Sequence, residues 1–337
     1  MPASNSYETK EPRIYFGYGT ALQIARMVDI RTLSSAKGKA RMLPDRAPGG
    51  HRIEVAIERL ESMYPELTIE RPAHILVGGS SRCRASSTCM PHSCTVCLAG
   101  TSFYQLDEDV CISIPPLAFI HKATQVKDPI ALLELGYELC GTYQSWRTGV
   151  AVDYGVSPLS SVRALSDYVS RNPSINGARK ARRIIRYLAD GSASPRETKQ
   201  ALVLGLPMGY GGHGLGIPRM NFEVAANGAA RAISGKSSFR CDLCWPEYRL
   251  DVEYQSRECH EGEENRLADS RRTNALMAMG WTVVGITNDE LDSFVATETI
   301  AQTIRRLLGK RARIRVDDYH ARKLKLRRQL CLPLGYD

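Results

Sequence analysis

The chain has no apolar run that approaches the roughly 20 residues a helix needs to cross a bilayer, which argues against a membrane-spanning segment. Its first residues, Met1 to Glu8, lack a basic stretch that leads into an apolar core, so we expect no secretory signal. No internal repeat is visible along the sequence either. These absences predict a cytoplasmic protein without a membrane partner.

What the sequence does contain fits a globular protein of more than one domain. It has 337 residues, of which 43% are apolar and 24% are charged. Gly191-Ser192-Ala193 interrupts a helical region, and we place a domain boundary there. The predicted organisation is a mixed α+β N-terminal domain over residues 1–157, a helical connector over 158–190, an α/β domain over 191–309 and a basic C-terminal tail over 310–337.

The positive charge of the chain is concentrated near its C-terminal end. The formal net charge is +9, and the segment from Arg305 to Arg328 carries all of it, with eleven basic residues against Asp317 and Asp318. This segment predicts a polyanionic partner, for which DNA is the natural candidate, and a solvated, poorly ordered tail is the alternative. The side chains of this segment predicted to contact nucleic acid are Arg311, Arg313, Arg315, Lys323, Lys325, Arg327 and Arg328.

Ten cysteines in a chain expected to be cytoplasmic argue against a disulfide framework. Four of them lie around His92, and thiolate and imidazole ligands at short spacings suit tetrahedral zinc. Their spacing lacks a C-x-x-C pair on both sides, so reduced free thiols are the alternative to structural zinc. Cys241 and Cys244 form a C-x-x-C, but residues three apart on a strand point to opposite faces, which favours packing over chelation. The four candidate zinc ligands are Cys83, Cys89, Cys94 and Cys97.

The C-terminal half alternates between helices and strands. The predicted elements are a helix that opens at Ser194, a Gly-rich loop over 209–216, strands near 239–243 and 249–255, a helix over 266–279, a strand over 281–286 and a last helix that runs to Leu308. This order predicts an α/β fold in which helices flank a sheet.

The strand near 249–255 carries a pattern that predicts a metal site. Because side chains alternate along a strand, Asp251, Glu253 and Gln255 share one face, and Asp242 on the neighbouring strand can join them. Carboxylates that converge in this way repel each other unless a cation lies between them. Oxygen ligands without a thiol suit Mg²⁺ or Mn²⁺. The alternative is a solvent-facing edge on which these acids pair with nearby arginines.

Three further residues each have a chemical and a structural interpretation. Glu197 is either a third metal carboxylate or the partner of Ser194 in a capping box. His260 is either a general base or proton donor, or an exposed loop histidine. Arg272 either holds a phosphate of bound nucleic acid or forms a surface ion pair with Asp269, one helical turn away.

These separated motifs occur in an order that resembles a known bacterial family. Over roughly residues 190–295 the sequence is similar to a family of unknown function that belongs with the very-short-patch-repair endonucleases of the PD-(D/E)XK superfamily. The N-terminal half is similar, more weakly, to the region before this domain in relatives of AbiE-type abortive-infection antitoxins. The matching motifs are Ser194-Pro195-x-Glu197-Thr198, Cys241-Asp242-Leu243-x-Trp245-Pro246-Glu247, Val252-Glu253-Tyr254, His260, Asp269-Ser270-Arg271-Arg272-x-Asn274-Ala275-Leu276 and Gly280-Trp281-x-Val283.

The resemblance implies a restriction-endonuclease-like core, in which helices flank a mixed sheet. It implies that Asp242 and Glu253 bind a divalent metal, that Glu197 is an accessory acid and that His260 lies beside the scissile phosphate. Gln255 departs from the pattern, because the superfamily has Lys there and this family commonly has Asp followed by Gly. A glutamine can orient a water or bind a metal through its carbonyl, but it neither supplies positive charge nor takes up a proton.

The leading prediction is a Mg²⁺- or Mn²⁺-dependent endonuclease that hydrolyses phosphodiester bonds of DNA. Its predicted catalytic residues are Glu197, Asp242, Glu253, Gln255 and His260. The alternative is a non-catalytic DNA-binding regulator of antitoxin type that keeps a nuclease-like scaffold. A third interpretation, a zinc-stabilised interaction protein, depends on the cysteine cluster around His92.

Overall fold

The computed structural model of the protein describes residues 12–35, 43–79, 85–255 and 263–335. Within these ranges the chain is mixed α/β, with sheets flanked by helices, as the sequence predicts. None of the helices described there combines the length and the apolar character needed to cross a membrane.

The chain divides into two compact units, each made of more than one segment. The first unit contains Met1–Lys127, Gln144–Val152 and Arg163–Arg183, and the second contains Asp128–Tyr143, Asp153–Val162 and Ile184–Asp337.

The first unit is built on a six-stranded mixed sheet. Its strands are β1 (Ile14–Phe16), β2 (Ser34–Ser35), β3 (Ala73–Val77), β4 (Cys89–Ser93), β5 (Phe103–Gln105) and β6 (Val110–Ser113). They lie in the order β2-β5-β6-β1-β3-β4, with β1 parallel to β6 and antiparallel to β3. The helices of this part of the chain are α1 (Tyr18–Met27), α2 (Gly50–Met63), α3 (Pro115–Gln125) and α5 (Val162–Arg171), and α6 (Ala178–Ile185) follows α5 in the chain.

The sequence predicts one helix from Ile14 to about Val28, and this prediction is wrong at its start. Ile14, Tyr15 and Phe16 form the strand β1 and are all buried, because β1 lies inside the sheet between β3 and β6. A strand buried on both faces shows no alternation of polar and apolar residues, so its sequence cannot be told from the first turn of an apolar helix.

The second unit is built on a four-stranded sheet. Its strands are β9 (Arg219–Ala225), β10 (Ser238–Trp245), β11 (Leu250–Gln255) and β12 (Thr282–Thr287). β9, β10 and β11 are antiparallel neighbours, whereas β12 runs parallel to β11. The connection between these parallel strands contains α9 (Glu263–Ala278), as parallel pairing requires a long crossover. The short strands β7 (Tyr143–Gln144) and β8 (Asp153–Tyr154) precede this sheet in the chain.

The second unit also contains the helices that flank this sheet. They are α4 (Pro129–Cys140), α7 (Pro195–Gly205), α8 (Gly228–Ser234), α9, α10 (Asn288–Asp292), α11 (Phe294–Leu307) and α12 (Tyr319–Gln329). One apolar cluster lies between the sheet and α8 and α9, where Ala230, Ala275 and Leu276 pack against Phe239 of β10. Ser293 accepts a hydrogen bond from Ala296 N and caps α11, so the single predicted last helix is divided into α10 and α11.

The two units do not follow the predicted boundaries after residues 157 and 190. α4 was predicted to be N-terminal but belongs to the second unit, since its C-terminal end is hydrogen-bonded there. Cys140 O accepts from Gly191 N at 2.9 Å, and Tyr143 OH lies 2.9 Å from Thr198 Oγ1 of α7. A contact between distant parts of the sequence is not visible as a change of composition.

The predicted basic tail over residues 310–337 is also more ordered than a solvated tail. Residues 319–329 form α12, and its Leu326 and the following Leu330 are fully buried in the second unit. Gln329 Nε2 donates a hydrogen bond to Asp128 Oδ1 at 2.7 Å. The C-terminal segment is therefore part of the fold of this unit.

Candidate metal centre and nucleic-acid interface

The site lies where β10 and β11 separate. The two strands pair from Trp245–Leu250 to Leu243–Val252, whereas β11 pairs with β12 along its whole length, from Leu250 to Gln255. Asp242 follows at the point of separation, and its Oδ2 accepts a hydrogen bond from Tyr254 N at 2.9 Å. The carboxylate of Asp242 thus reaches the backbone of β11.

Glu253 faces α9, together with Asp251 two residues before it. Arg272 of α9 donates a hydrogen bond to Glu253 Oε1 at 2.7 Å, and the same nitrogen lies 3.8 Å from Asp251 Oδ2. The predicted common face of Asp251 and Glu253 is therefore present. Arg272 contacts Glu253 and the carbonyl of Arg240, so its guanidinium is held by the protein itself.

Cys241 joins these two carboxylates. One ligand atom each of Cys241, Asp251 and Glu253 lies within 4.8 Å of the others. The prediction that Cys241 and Cys244 point to opposite faces is wrong, because both pack in the apolar cluster under α8 and α9. The alternation of side chains between the two faces of β10 is interrupted between Cys241 and Cys244. This interruption lies next to Asn221 of β9, whose φ is +47°.

Of these three residues, Asp251 has the most unusual environment for a charged side chain. It is completely buried, and neither of its carboxylate oxygens has a hydrogen-bond partner among the described residues. A buried carboxylate without a hydrogen bond is strongly destabilising, so such a group normally takes up a proton, pairs with a cation or binds a metal. The sequence placed Asp251 on the correct face but gave it no function, because a single aspartate on a strand carries no signal of its burial.

The pKa values of the carboxyl groups reflect this convergence. Burial raises the pKa of Asp242 to about 6, and the charge of Glu253 adds to the increase. Burial also raises the pKa of Asp251 to about 8 and that of Glu253 to about 9, where contact with Asp251 contributes. A hydrogen bond from the backbone of Asp242 opposes the increase of the Glu253 pKa. Asp242 and Glu253 are therefore neighbours, as predicted.

Glu197 combines both interpretations given to it by the sequence. Half of the predicted capping box is present, since Glu197 N donates to Ser194 Oγ at 3.1 Å, but the Glu197 side chain does not accept from Ser194 N. Its Oε2 accepts hydrogen bonds from Ala193 N at 3.0 Å and from Asn221 Nδ2 at 2.7 Å. Burial raises the pKa of Glu197, and the charge of Asp242 adds to the effect, so the start of α7 also faces the site.

Gln255 and His260 complete the set of predicted catalytic residues. Gln255 is exposed at the end of β11, and its amide lies over Gly285 of β12, where a Cβ atom would be only 2.8 Å from Gln255 Nε2. His260 lies outside the described residues.

A cleft of about 570 Å³ lies on the Arg272 side of the site. Its walls include Lys236, Arg240 and Arg272, the acid Glu223, and Asn221, the hydrogen-bond partner of Glu197. The three basic side chains suit a phosphate-containing ligand. Sequence reasoning missed Lys236 and Asn221, because β9 and α8 were not predicted as elements.

The predicted nucleic-acid contacts of the C-terminal segment divide into two groups. Arg311, Arg313, Arg315, Lys325 and Arg328 are exposed.

Lys323 and Arg327 belong to the other group and have structural partners. Lys323 Nζ lies 2.6 Å from Glu298 Oε2, and Arg327 is buried and donates to the carbonyls of Leu291, Asp292 and Pro333. We correct their predicted contact with nucleic acid, because their cationic groups already hold α12 in place.

The cysteine cluster near His92 does not form a metal site in the part of the chain that the structure describes. Cys83 lies outside the described residues, Cys89 and Cys94 are buried, and Cys97 is exposed. His92 Nε2 lies 2.7 Å from His74 Nδ1, so its ring has a partner other than the cysteines. Across the described ranges, the group formed by Cys241, Asp251 and Glu253 is the one with metal-ligand spacing.

Comparison with known proteins gives distant relatives. The chain is 31% identical over 103 residues to two uncharacterised proteins of Mycobacterium tuberculosis, from the strains CDC 1551 and H37Rv. The alignment covers 31% of this chain and 34% of each relative, about a third of the length of the curated proteins it matches. No protein family in the comparison matches the chain, and no solved structure matches it.

Proposed function

We propose that the second unit is a metal-dependent DNA nuclease with a restriction-endonuclease-like core. The observation that carries the proposal is the group of ligand atoms on Cys241, Asp251 and Glu253, all within 4.8 Å of one another. Asp242 adds a further carboxylate at the separating strands. The resemblance of the motifs to the very-short-patch-repair endonucleases supports the same assignment.

The donor atoms fit a divalent cation. Asp251 offers two buried oxygens without hydrogen bonds among the described residues, and ligand atoms of Glu253 and Cys241 lie within 4.8 Å of it. These three residues would hold the ion, and Asp242, next to Glu253, would add negative charge. Carboxylates suit Mg²⁺ or Mn²⁺, while the thiol of Cys241 favours the softer Mn²⁺. When bound, such an ion polarises a phosphoryl oxygen and lowers the pKa of water.

The other residues of the site bind and position. Arg272 orients Glu253 through the 2.7 Å hydrogen bond to its Oε1. Lys236 and Arg240 in the walls of the cleft are placed to contact phosphates. Glu197 is a positioning residue, because it holds Asn221 at 2.7 Å on the strand beside Asp242.

The exposed basic side chains of the C-terminal segment add affinity for the DNA backbone. Arg311, Arg313 and Arg315 lie in a segment without helix or strand before α12 and are exposed. Their contribution would be independent of sequence and would fall with salt, because it depends on the release of counterions from the phosphates.

Cleavage of supercoiled plasmid DNA tests the proposal. We expect the wild-type protein to nick plasmid with MnCl₂ or MgCl₂ and not with EDTA. Asp242→Asn and Glu253→Gln should each reduce the rate at least 100-fold, as expected when the charge stabilisation of a transition state is removed. Glu247→Gln is the matched control, since Glu247 is an exposed acid in the turn between the same strands. Equal cutting by the wild-type protein and Asp242→Asn would remove the enzyme assignment.

One observation favours a second candidate, a DNA-binding regulator that does not cleave. Arg272 already donates a hydrogen bond to Glu253, and Gln255 supplies no positive charge where the superfamily has Lys. For a regulator, the Asp242→Asn/Glu253→Gln double variant would bind duplex DNA in EDTA as tightly as the wild-type protein, and neither protein would cut it.

A further inference from the structure

The exposed face of α6 carries a row of arginines that the proposed nuclease site does not use. Arg179, Arg182 and Arg183 are exposed. Their spacing of three and four residues places them on one side of the helix. Ala178 and Ala181 are buried on the other side, so this face is fixed towards solvent by the packing of α6.

These arginines have no acidic partner in the described parts of the chain. No salt bridge found there includes Arg179, Arg182 or Arg183. The sequence itself has no Asp or Glu between Asp167 and Asp190. No acidic residue of α6 or of the adjoining sequence therefore neutralises the charge of these arginines.

Several other arginines of the first unit have acidic partners. Arg31 pairs with Asp29 at 2.8 Å, and Arg71 pairs with Glu54 at 2.8 Å and with Glu61 at 2.7 Å. On α6 itself, Lys180 turns inward and donates to the carbonyl of Val126. The three exposed arginines thus stand apart from the paired cations of the same unit.

Concentrating like charges on one face weakens a helix. Arg179 and Arg183 are four residues apart, a spacing at which like charges destabilise a helix by a few tenths of a kcal/mol. A polyanion that binds this face removes the repulsion and adds charge-assisted hydrogen bonds to the planar guanidinium groups.

We propose that the α6 face, defined as Arg179, Arg182 and Arg183, binds the phosphate backbone of duplex DNA. The helix rises about 1.5 Å per residue, so the three guanidinium groups span about one turn. Each strand of duplex DNA carries one charge per about 3.4 Å of its axis, so the long arginine side chains can spread over neighbouring phosphates of the backbone. Such contacts fix position and affinity without reading bases. The proposal does not require the metal chemistry assigned to the second unit.

Fluorescence anisotropy with labelled 20-base-pair duplexes tests the α6 face in the full-length chain. Two unrelated sequences are used, in EDTA and over a series of KCl concentrations. We expect Arg179→Ser/Arg182→Ser/Arg183→Ser to weaken binding of both sequences about tenfold or more. The salt slope, defined as the slope of the logarithm of the binding constant against the logarithm of the KCl concentration, should become shallower by about 2.7, since each phosphate contact contributes about 0.9.

Two matched variants separate a local contact from net charge and from misfolding. Arg31→Ser/Arg59→Ser/Arg163→Ser removes the same charge from arginines that have acidic partners, and we expect it to keep the salt slope. Arg179→Lys/Arg182→Lys/Arg183→Lys keeps the charge of α6 and should keep most of the slope. Thermal unfolding by circular dichroism verifies that each variant folds.

Three outcomes would overturn the proposal. The first is an unchanged slope in the folded serine variant, and the second is an equal loss in the variant with the paired arginines replaced. The third is a serine variant that binds DNA normally but no longer binds phosphatidylserine vesicles, which would make the face a membrane contact. The result is independent of the nuclease assignment, because binding is measured in EDTA, without the metal ion that the proposed cleavage requires.

Discussion

Burying a carboxyl group without a hydrogen bond is costly at the scale of a single residue, and Asp251 of β11, whose pKa burial raises to about 8, is such a group among the described residues. Its nearest cation is Arg272, 3.8 Å away, which is too far for a hydrogen bond. The group therefore has the capacity for a ligand that the protein itself does not fill.

We predict that Asp251→Asn removes stabilisation by metal and leaves the metal-free protein at least as stable as the wild type. A ligand at 100 times its Kd adds about 2.7 kcal/mol to the free energy of unfolding. Thermal melting with and without MnCl₂ measures the difference. Glu247→Gln, which alters an exposed acid, should keep the full metal-dependent shift. An undiminished shift in Asp251→Asn would show that its oxygens do not bind the ion.

A second residue-scale prediction concerns His213. Its ring is 4% exposed, and its Nε2 lies 3.4 Å from Glu298 Oε1. Burial, followed by the charges of Lys323, Arg305 and Arg327, lowers the pKa of His213 to about 3.

The pKa of an unfolded histidine is about 6.5. Below that pH the unfolded chain binds a proton that the folded protein does not, so the free energy of unfolding falls as pH decreases. The loss is at most about 1.4 kcal/mol per pH unit for one such group. Urea denaturation at pH 7.5, 6 and 5 should give a shallower loss for His213→Gln than for the wild type. His51→Gln, which changes an exposed histidine, serves as the control, and parallel curves for His213→Gln and the wild type would contradict the prediction.

At the scale of an element, the end of α4 depends on the close approach of two backbones. A Cβ atom at Gly141 would lie 2.5 Å from Ser192 O and 2.7 Å from Tyr137 O. Both contacts are with backbone atoms, so neither can be relieved by moving a flexible side chain.

We predict that Gly141→Ala destabilises the second unit by about 2 kcal/mol or more, in the range of substitutions that force backbone shifts. Gly228→Ala is the matched control, because Gly228 begins α8 and a Cβ there meets nothing within 4 Å. It should be neutral or stabilising by up to about 1 kcal/mol. Urea denaturation measures both, and equal stability of the two variants would mean that the α4 contact is not rigid.

The elements that carry the site could be predicted from sequence because their patterns are local. The acids of β11 alternate with apolar residues, Gly280 ends the helix before β12, and Thr287 and Glu290 form a capping box at α10. Asp242 and Glu253 were accordingly predicted as neighbours. The participation of Cys241 could not be predicted, since it depends on the change of alternation in β10 beside Asn221.

At the scale of the whole molecule, less of the structure could be predicted from local sequence patterns. α4 lies far from α7 in the sequence, and only the folded chain shows that they share a unit. α12 was predicted as part of a basic tail because its charge hides the apolar contacts of Leu326 and Leu330. Long-range packing of this kind leaves no periodic signal.

We predict different effects of two changes to the C-terminal segment. Removal of residues 311–337 should destabilise the second unit by several kcal/mol, because it deletes the buried side chains of Leu326, Arg327 and Leu330. Arg311→Ser/Arg313→Ser/Arg315→Ser should leave urea denaturation unchanged but weaken DNA binding and flatten its salt dependence. A truncated chain as stable as the wild type would contradict the assigned role of α12.

The unbroken pairing of β11 with β12 from Leu250 to Gln255 also constrains how the gene can change in length. Deleting one codon within this strand moves every later side chain of β11 to the opposite face of the sheet. The acidic and aliphatic side chains would then exchange faces. Tolerated insertions should therefore occur in the turn at Pro246–Arg249, where the left-handed backbone of Arg249 already reverses the chain. Within the strand, only insertions of two residues would keep each side chain on its face.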